Sequence, residues 1–205
     1  MGIMLGLAGG LTLLGGGGDK SANNTLAYQF DSGYGIGFDG GLRFARDFYV
    51  GVALHYDKLS PGAKGIVTGG GGGFQGALML AWLGNGNGFG FYLEGGVAYR
   101  TLGFETTQTV SGNIYTFANT LSGVDGVLGI GFHFRGGPIH FIPKISLSIG
   151  KFSGGTVGTT AGDVTYDATN EAVHVVALFG IQGAYDIPLG HTPAAGGASV
   201  SGTVQ

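Results

Sequence analysis

The stretch FDGGLRFARDFYVGVALHYD, residues 38–57, alternates bulky apolar residues with small or polar ones. The bulky register holds Phe38, Leu42, Phe44, Phe48, Val50, Val52, Leu54 and Tyr56. The small or polar register holds Asp39, Gly41, Arg43, Tyr49, Gly51, Ala53, His55 and Asp57. Because side chains alternate between the two faces of a strand, this period of two predicts a β-hairpin with unlike faces, turning at residues 45–47. In a soluble sheet the bulky face is buried in the core, whereas in a membrane barrel it faces lipid.

The composition of the whole chain is unusual for a soluble domain. Charged residues make up 10% of the 205 residues, whereas about 25% is ordinary. Glycine occurs 47 times without a collagen-like three-residue period. The formal net charge of −3 gives no basic footprint for nucleic acid, and the absence of cysteine excludes disulfides and thiolate metal sites. No uninterrupted apolar run is long enough for a transmembrane helix.

The glycine-rich first segment, MGIMLGLAGGLTLLGGGG (1–18), is predicted to be a strand. Its large residues alternate with glycine, alanine and threonine, which is the period of a strand. It has neither a basic start nor an A-x-A-like cleavage site, so it does not fit a secretory signal peptide. Export would therefore need a signal that this sequence does not contain.

The same alternation recurs and predicts eight strands, at 2–14, 28–44, 48–58, 73–83, 89–101, 122–135, 138–151 and 172–186. Their connections alternate in length. The short ones are 45–47, 84–88 and 136–137, and the long ones are 15–27, 59–72, 102–121 and 152–171. An even number of strands with all long loops at one end is typical of an outer-membrane barrel.

The volume of the bulky registers decides which face is wet. Each predicted strand carries roughly five bulky groups, and the interior of an eight-stranded barrel is only just wide enough for side chains to fill it. The registers of glycine, alanine and serine fit inside, so the bulky registers are expected to face lipid. The alternative, a soluble two-sheet sandwich, would expose a glycine-rich surface with few charges.

Aromatic residues concentrate at the strand ends. Near the predicted short turns lie Phe44, Phe48, Trp82, Phe89, Phe134 and Tyr185. Near the predicted long loops lie Tyr34, Tyr56 and Tyr99. Two such belts are expected at the two membrane interfaces of a barrel.

On these features the chain resembles the family of small eight-stranded outer-membrane β-barrels, typified by the membrane domain of outer membrane protein A and by outer membrane protein X. The resemblance covers about residues 2–186. It implies an all-β, antiparallel, up-and-down transmembrane barrel (1–186) in the outer membrane of a Gram-negative cell, in contact with lipid and lipopolysaccharide. It also implies periplasmic termini and insertion by the barrel-assembly machinery, guided by Phe179, Ile181 and Tyr185 in the last strand. Residues 187–205 depart from the family and are expected to form a flexible periplasmic tail.

Polar residues of the small registers are expected to line the interior: Asp39, Arg43, Glu94, Lys144, Asp125 and His133. Because buried charges need partners, the sequence suggests a network that pairs Arg43 and Lys144 with Asp39 and Glu94. Such a network would plug the barrel or, alternatively, form the selectivity ring of a narrow porin-like channel. The glycines of the inner face suggest free volume, which keeps the channel open as an alternative.

The sequence offers little for catalysis. A lipid-modifying outer-membrane enzyme would need a serine and a histidine within reach of each other, and the best candidate is His174 with Asn170 and Glu171. No serine lies two residues from a lumen-facing histidine, and the histidines lack tight ligand spacing. We therefore predict no enzyme activity, no metal and no cofactor. The predicted function is structural, envelope-anchoring or interaction-based, with loops 102–121 and 152–171 available to a protein partner.

Overall fold

A computed structural model describes residues 1–16, 29–44, 47–62, 67–85, 88–159, 162–167 and 173–189. This part of the chain forms nine β-strands. They are β1 (Gly2–Gly16), β2 (Phe30–Phe44), β3 (Phe48–Pro61), β4 (Val67–Leu83), β5 (Phe89–Val110), β6 (Asn113–Gly136), β7 (Ile139–Thr159), β8 (Gly162–Asp167) and β9 (Val173–Pro188). Within these ranges no helix has the length and apolar character needed to span a membrane.

Eight of the strands close into a ring in which every neighbour is antiparallel. The strands β1 to β7 pair in sequence order, and β9 joins β7 to β1. Closure leaves no open sheet edge in the ring, which is a requirement for a sheet that crosses a bilayer. The strand β8 stands outside the ring and pairs with the end of β7. The predicted eight-stranded antiparallel barrel is therefore confirmed.

Two of the predicted long loops are largely strand. Residues 102–121 do not form an irregular loop, because β5 and β6 remain paired up to a turn at Ser111 and Gly112. Both turn residues have positive φ, 53° and 84°, as a tight two-residue hairpin turn requires. In the second loop, β7 continues to Thr159 and β8 pairs back onto it. The threonine-rich composition of both segments explains the extension, since β-branched residues favour strands.

The bulky registers lie on the outside of the barrel. Leu54, Leu93 and Ile145 come from three different strands, and 47%, 46% and 40% of their surface is exposed. The buried residues between them belong to the opposite register. The barrel therefore has an apolar outer surface and a polar interior, as the sequence predicts.

The strand register gathers the aromatic residues into rows on this surface. At the end of the short turns, Phe44 stacks on Phe48 with centroids 5.9 Å apart, and Phe89 lies 5.1 Å from Phe134. Trp82 pairs with Phe48, and Tyr185 with Ile139. At the opposite end, Tyr34, Tyr56 and Tyr99 are exposed. From Phe48 to Tyr56 the strand rises about 26 Å, or about 20 Å of depth at a tilt of about 40°, comparable with the apolar band of an outer-membrane barrel.

The last strand ends two residues beyond the predicted end of the barrel, at Pro188. Its neighbour Leu189 donates a backbone hydrogen bond to Met1, with an N–O distance of 2.8 Å. The remainder of the predicted tail, residues 190–205, lies outside the described residues.

Candidate functional site in the barrel interior

The interior is organised in layers, which we describe from the end of the short turns towards the end of the long loops. The first is the base layer, defined by Arg43, His133, Arg135, His140 and Asp186. Arg43 donates to Asp186 Oδ2 from both Nε (3.0 Å) and Nη2 (2.6 Å), and Arg135 donates to the same oxygen at 3.1 Å. His133 Nε2 lies 2.7 Å from His140 Nδ1. The base layer thus ties together four strands, β2, β6, β7 and β9.

The sequence suggested Asp39 or Glu94 as the partner of Arg43, and this prediction was wrong. Arg43 and Asp39 lie on the same strand and the same face, four residues and therefore about 13 Å apart. Across β1, in contrast, Arg43 stands opposite Gly2, and Gly2 stands opposite Pro188, which brings Asp186 within reach. The arginine consequently pairs with Asp186 rather than with Asp39.

An apolar floor lies directly above the base layer. It consists of Met4, Tyr49, Ala81, Leu83, Tyr92, Ile142 and Ala184, and all of these residues are buried. Their side chains come from β1, β3, β4, β5, β7 and β9, so the floor reaches across the barrel. Together with the base layer it fills the interior at the end of the short turns.

The middle layer contains two carboxylates, Asp39 and Glu94. Glu94 accepts hydrogen bonds from Lys144 Nζ at 2.7 Å, from Tyr92 Oη at 2.6 Å and from Ser146 Oγ. The Lys144 ammonium also lies 5.3 Å from the centre of the Tyr92 ring, a cation–π distance. The structure thus brings together Glu94 and Lys144, two members of the network that the sequence suggested.

Asp39 has a different environment. It accepts a hydrogen bond from Gln182 Nε2 at 2.9 Å and a longer one from Tyr49 Oη at 3.4 Å. Both donors are neutral, and the described residues place no ion pair on this carboxylate. Asp39 is nevertheless buried.

The upper layer is centred on Arg100, which bridges two carboxylates. Its Nε donates to Asp125 Oδ2 at 2.7 Å, and its Nη1 donates to Asp57 Oδ2 at 3.0 Å. The other members of the layer are Thr12 and His55, which contact Asp57, and Gln75 and His174, which contact Asp125. Six strands contribute to this layer, and the layer therefore ties most of the barrel wall together.

An apolar cap closes the interior at the end of the long loops. It is formed by Phe30, Leu59, Val67, Leu102, Leu121 and Phe152, with Leu14 and Phe104 packed against it. The rings of Phe30 and Phe104 meet edge to face at 5.5 Å, a favourable aromatic geometry. Phe152 also stacks on His174 at 4.1 Å and so joins the apolar cap to the upper layer.

Glycines of the inner face do not leave the open volume that the sequence suggested. A Cβ on Gly129 would overlap the carboxylate of Glu94, and one on Gly6 would overlap that of Asp39. These glycines therefore accommodate long side chains from the adjacent strand. The free volume predicted from the glycine content is therefore absent above Gly6 and Gly129, where carboxylates occupy the space.

Replacing Gly129 by alanine is expected to lower the free energy of unfolding by about 1–3 kcal/mol, the usual cost of overpacking. The added methyl group would displace Glu94 from Lys144 and Ser146. The matched control is Gly183→Ala, because Gly183 faces outward and a Cβ there meets no atom within 4 Å. Urea unfolding of both variants in lipid vesicles measures the difference, and equal stabilities would contradict the assigned packing.

Between the middle and upper layers a cavity of about 80 Å³ remains. It has space for several waters, since one water needs roughly 10–15 Å³ of such volume. Its polar lining includes Asp39, Glu94, Lys144, Arg100 and Gln182. The cavity is thus a small polar chamber in a barrel that is filled on both sides of it.

Several residues of the layers were missed at the level of sequence, namely Tyr92, Arg100, Gln182 and Asp186. The signal for each was available. Arg100 continues the inward register of Glu94 and Ala98, and Asp186 continues that of Gln182. Arg100 and Asp186 lie at or next to the predicted strand ends, 101 and 186, whereas Tyr92 and Gln182 lie well inside the predicted strands. The predicted residues Asp125 and His133 are both fully buried in the interior, in the upper and the base layer.

The histidine singled out for catalysis is engaged in packing. His174 Nε2 lies 2.8 Å from Asp125 Oδ1, its ring stacks on Phe152, and the residue is fully buried. Its two suggested helpers, Asn170 and Glu171, lie outside the described residues. The contacts of His174 are those of a structural residue.

A closed antiparallel ring with an apolar outer band, two rows of aromatics and an interior of alternating polar and apolar layers defines the fold of an integral outer-membrane β-barrel. Comparison with solved structures gives the same result. Neisserial surface protein A superposes with a TM-score of 0.56 at 8% identity, covering 89% of this chain and 96% of that one. A major outer membrane protein of Thermus thermophilus gives 0.51 at 14% identity, covering 90% and 99%. The outer membrane protein AlkL, solved in lipid bilayers, gives 0.52 at 14%, covering 93% and 92%.

At these identities the likeness concerns the fold. The sequence matches no known protein family and no individually characterised protein. The chain thus has the fold of the small eight-stranded outer-membrane β-barrels, as the sequence predicts.

Proposed function

We propose that this protein is an integral outer-membrane barrel with a closed interior, which anchors and displays the hairpin formed by the ends of β5 and β6. The observation that carries the proposal is the filling of the interior at both ends. The base layer and the apolar floor fill one end, and the apolar cap fills the other. A plugged interior of this kind favours a structural or interaction role over free passage of solutes.

The displayed hairpin, residues 102–121, supports the interaction role. It continues the barrel wall beyond the aromatic row that contains Tyr99, and it ends in a turn beside Ile114 and Tyr115, which are exposed. Large apolar residues at an exposed tip favour contact with another molecule. The end of β7 and β8 extend the same projecting sheet.

The environment of the barrel follows from its surface. Lipid and lipopolysaccharide of the outer membrane would cover the apolar band, and the barrel-assembly machinery would insert the chain through its last strand. Phe179, Ile181 and Tyr185 of that strand are exposed, which supports this route. The termini would lie in the periplasm, at the end of the short turns. We propose no catalytic role.

The test of this function combines conductance with removal of the hairpin. Purified barrel in planar bilayers is expected to be silent. A variant with residues 107–116 replaced by Asn-Gly is expected to keep the barrel, since it retains Phe104 of the apolar cap and the pairing of β5 with β4 and of β6 with β7. Heat-modifiable gel migration would check the fold, and binding to whole cells or extracellular matrix would report the loss of interaction. Unchanged binding after the deletion would contradict the display role.

A narrow channel is the second candidate, and the polar chamber is the observation that favours it. In that case, opening would require the Lys144–Glu94 contact to break. Glu94→Ala and Lys144→Ala would then change the single-channel conductance of the reconstituted protein. Steady currents from the unmodified barrel would replace the closed-barrel proposal with this one.

A further inference from the structure

The polar chamber contains a carboxylate without a counter-ion. The middle layer has two carboxylates, Asp39 and Glu94, and one ammonium, Lys144, which is bound to Glu94. The nearest groups in the upper layer are paired among themselves, since Arg100 and His55 both contact Asp57. The middle layer therefore has a net charge of one negative unit, and this charge is located on Asp39.

A second and independent observation points to the same place. Gln182 also lines the chamber and is only 2% exposed. Its Nε2 donates to Asp39 Oδ1, whereas its Oε1 has no hydrogen-bond partner. A buried amide oxygen without a donor is costly, so an unsatisfied acceptor belongs to the same side chain that binds the uncompensated carboxylate.

From this arrangement we propose that the chamber binds one small monovalent cation, K⁺ or Na⁺, between the Asp39 carboxylate and Gln182 Oε1. Both donors are hard oxygens, which alkali and alkaline-earth cations prefer. One free carboxylate matches a single positive charge, and the chamber has space for the waters that complete the coordination shell. The cation would neutralise Asp39 and satisfy Gln182 at the same time.

The site is distinct from the Glu94–Lys144 pair. Glu94 already accepts hydrogen bonds from Lys144, Tyr92 and Ser146. It therefore has little capacity for a further ligand. The proposed cation holds the barrel wall together, because Asp39 lies on β2 and Gln182 on β9, on either side of β1.

The test is folding of the whole chain from urea into lipid vesicles at about pH 8, where a free carboxyl group is ionised. KCl, NaCl and choline chloride are compared at equal ionic strength, because the methyl groups of choline prevent two oxygen atoms from coordinating its charge closely. Above the dissociation constant, each tenfold rise in K⁺ or Na⁺ is expected to lower the unfolding equilibrium constant about tenfold. The cation is present while the chain folds, so the result does not depend on whether the folded barrel has a path by which the cation can enter.

Two variants and one control locate the effect. Asp39→Asn is expected to abolish the advantage of KCl and NaCl over choline chloride. Gln182→Met keeps the Asp39 carboxylate and is expected to reduce the stabilisation by KCl and NaCl relative to choline chloride. This variant tests the site independently if Asp39→Asn does not fold. Glu105→Gln removes an exposed carboxylate of the hairpin and is expected to leave the advantage unchanged.

Three results would overturn the site. The first is equal stability of the unmodified barrel in the three salts. The second is a cation advantage that survives in both Asp39→Asn and Gln182→Met. The third is an infrared band of a protonated carboxyl group in KCl that disappears in Asp39→Asn, because a proton would then occupy the place of the cation.

Discussion

Leu128→Arg is expected to lower the free energy of unfolding from a bilayer by about 2–4 kcal/mol, the range for arginine at the midplane of the lipid face of a barrel. Leu128 lies on β6 between the two aromatic rows and is 63% exposed. It pairs with Leu147 on one side and Gly95 on the other. An arginine there would have to leave water for hydrocarbon, and no carboxylate of the interior is on its side of the wall.

The matched control is Ile114→Arg on the same strand. Ile114 is 74% exposed, but it lies at the tip of the hairpin, where water surrounds it. Its substitution is expected to change stability by less than about 0.5 kcal/mol. Urea titration of both variants in vesicles measures the difference. If the two arginines cost the same, the outer surface is not a lipid surface.

Asp125→Ala is expected to cost about 3–5 kcal/mol, the usual effect of removing one partner of a buried ion pair. Asp125 is fully buried and receives Arg100, His174 and Gln75. Its removal would leave Arg100 with Asp57 as its remaining carboxylate, and His174 would lose its carboxylate partner while still packed against Phe152. The upper layer would therefore lose its bridge between β5, β6 and β9.

Two further variants separate this network from a general effect of charge. Glu105→Ala removes a carboxylate from the exposed part of the hairpin and is expected to be nearly neutral. Asp125→Asn keeps an acceptor for Arg100 and is expected to cost less than alanine. Unfolding curves in urea rank the three variants by their free energy of unfolding. An Asp125→Ala variant as stable as the unmodified barrel would exclude the network.

Most of the fold could be predicted because one rule, the alternation of side chains along a strand, acts throughout the chain. It placed Leu54, Leu93 and Ile145 on the outer face, and the structure confirms this. What alternation could not give was the length of the strands beyond the membrane. Residues 105–118 lose the contrast between bulky and small registers, because the described side chains on both faces of that part of the hairpin are at least partly exposed.

The interior was less predictable, because its contacts depend on which residues lie level across several strands. The partner of Arg43 is Asp186, which is 143 positions away in sequence and reaches it only through the register of β1. The glycine content gave a wrong prediction of free interior volume for a related reason. Gly6 and Gly129 look like empty space in the sequence, but in the barrel they accommodate Asp39 and Glu94 from the neighbouring strand.

The orientation of the two faces is tested most directly by fluorescence quenching from within the lipid. The chain has no cysteine, so Leu54→Cys, Leu93→Cys and Ile145→Cys can each carry a single environment-sensitive label in vesicles. Brominated lipids are expected to quench all three labels strongly, and aqueous iodide is expected to quench them weakly. Labels that lipid-borne bromine does not reach would show that these side chains lie inside the molecule, and the proposed membrane barrel would then be wrong.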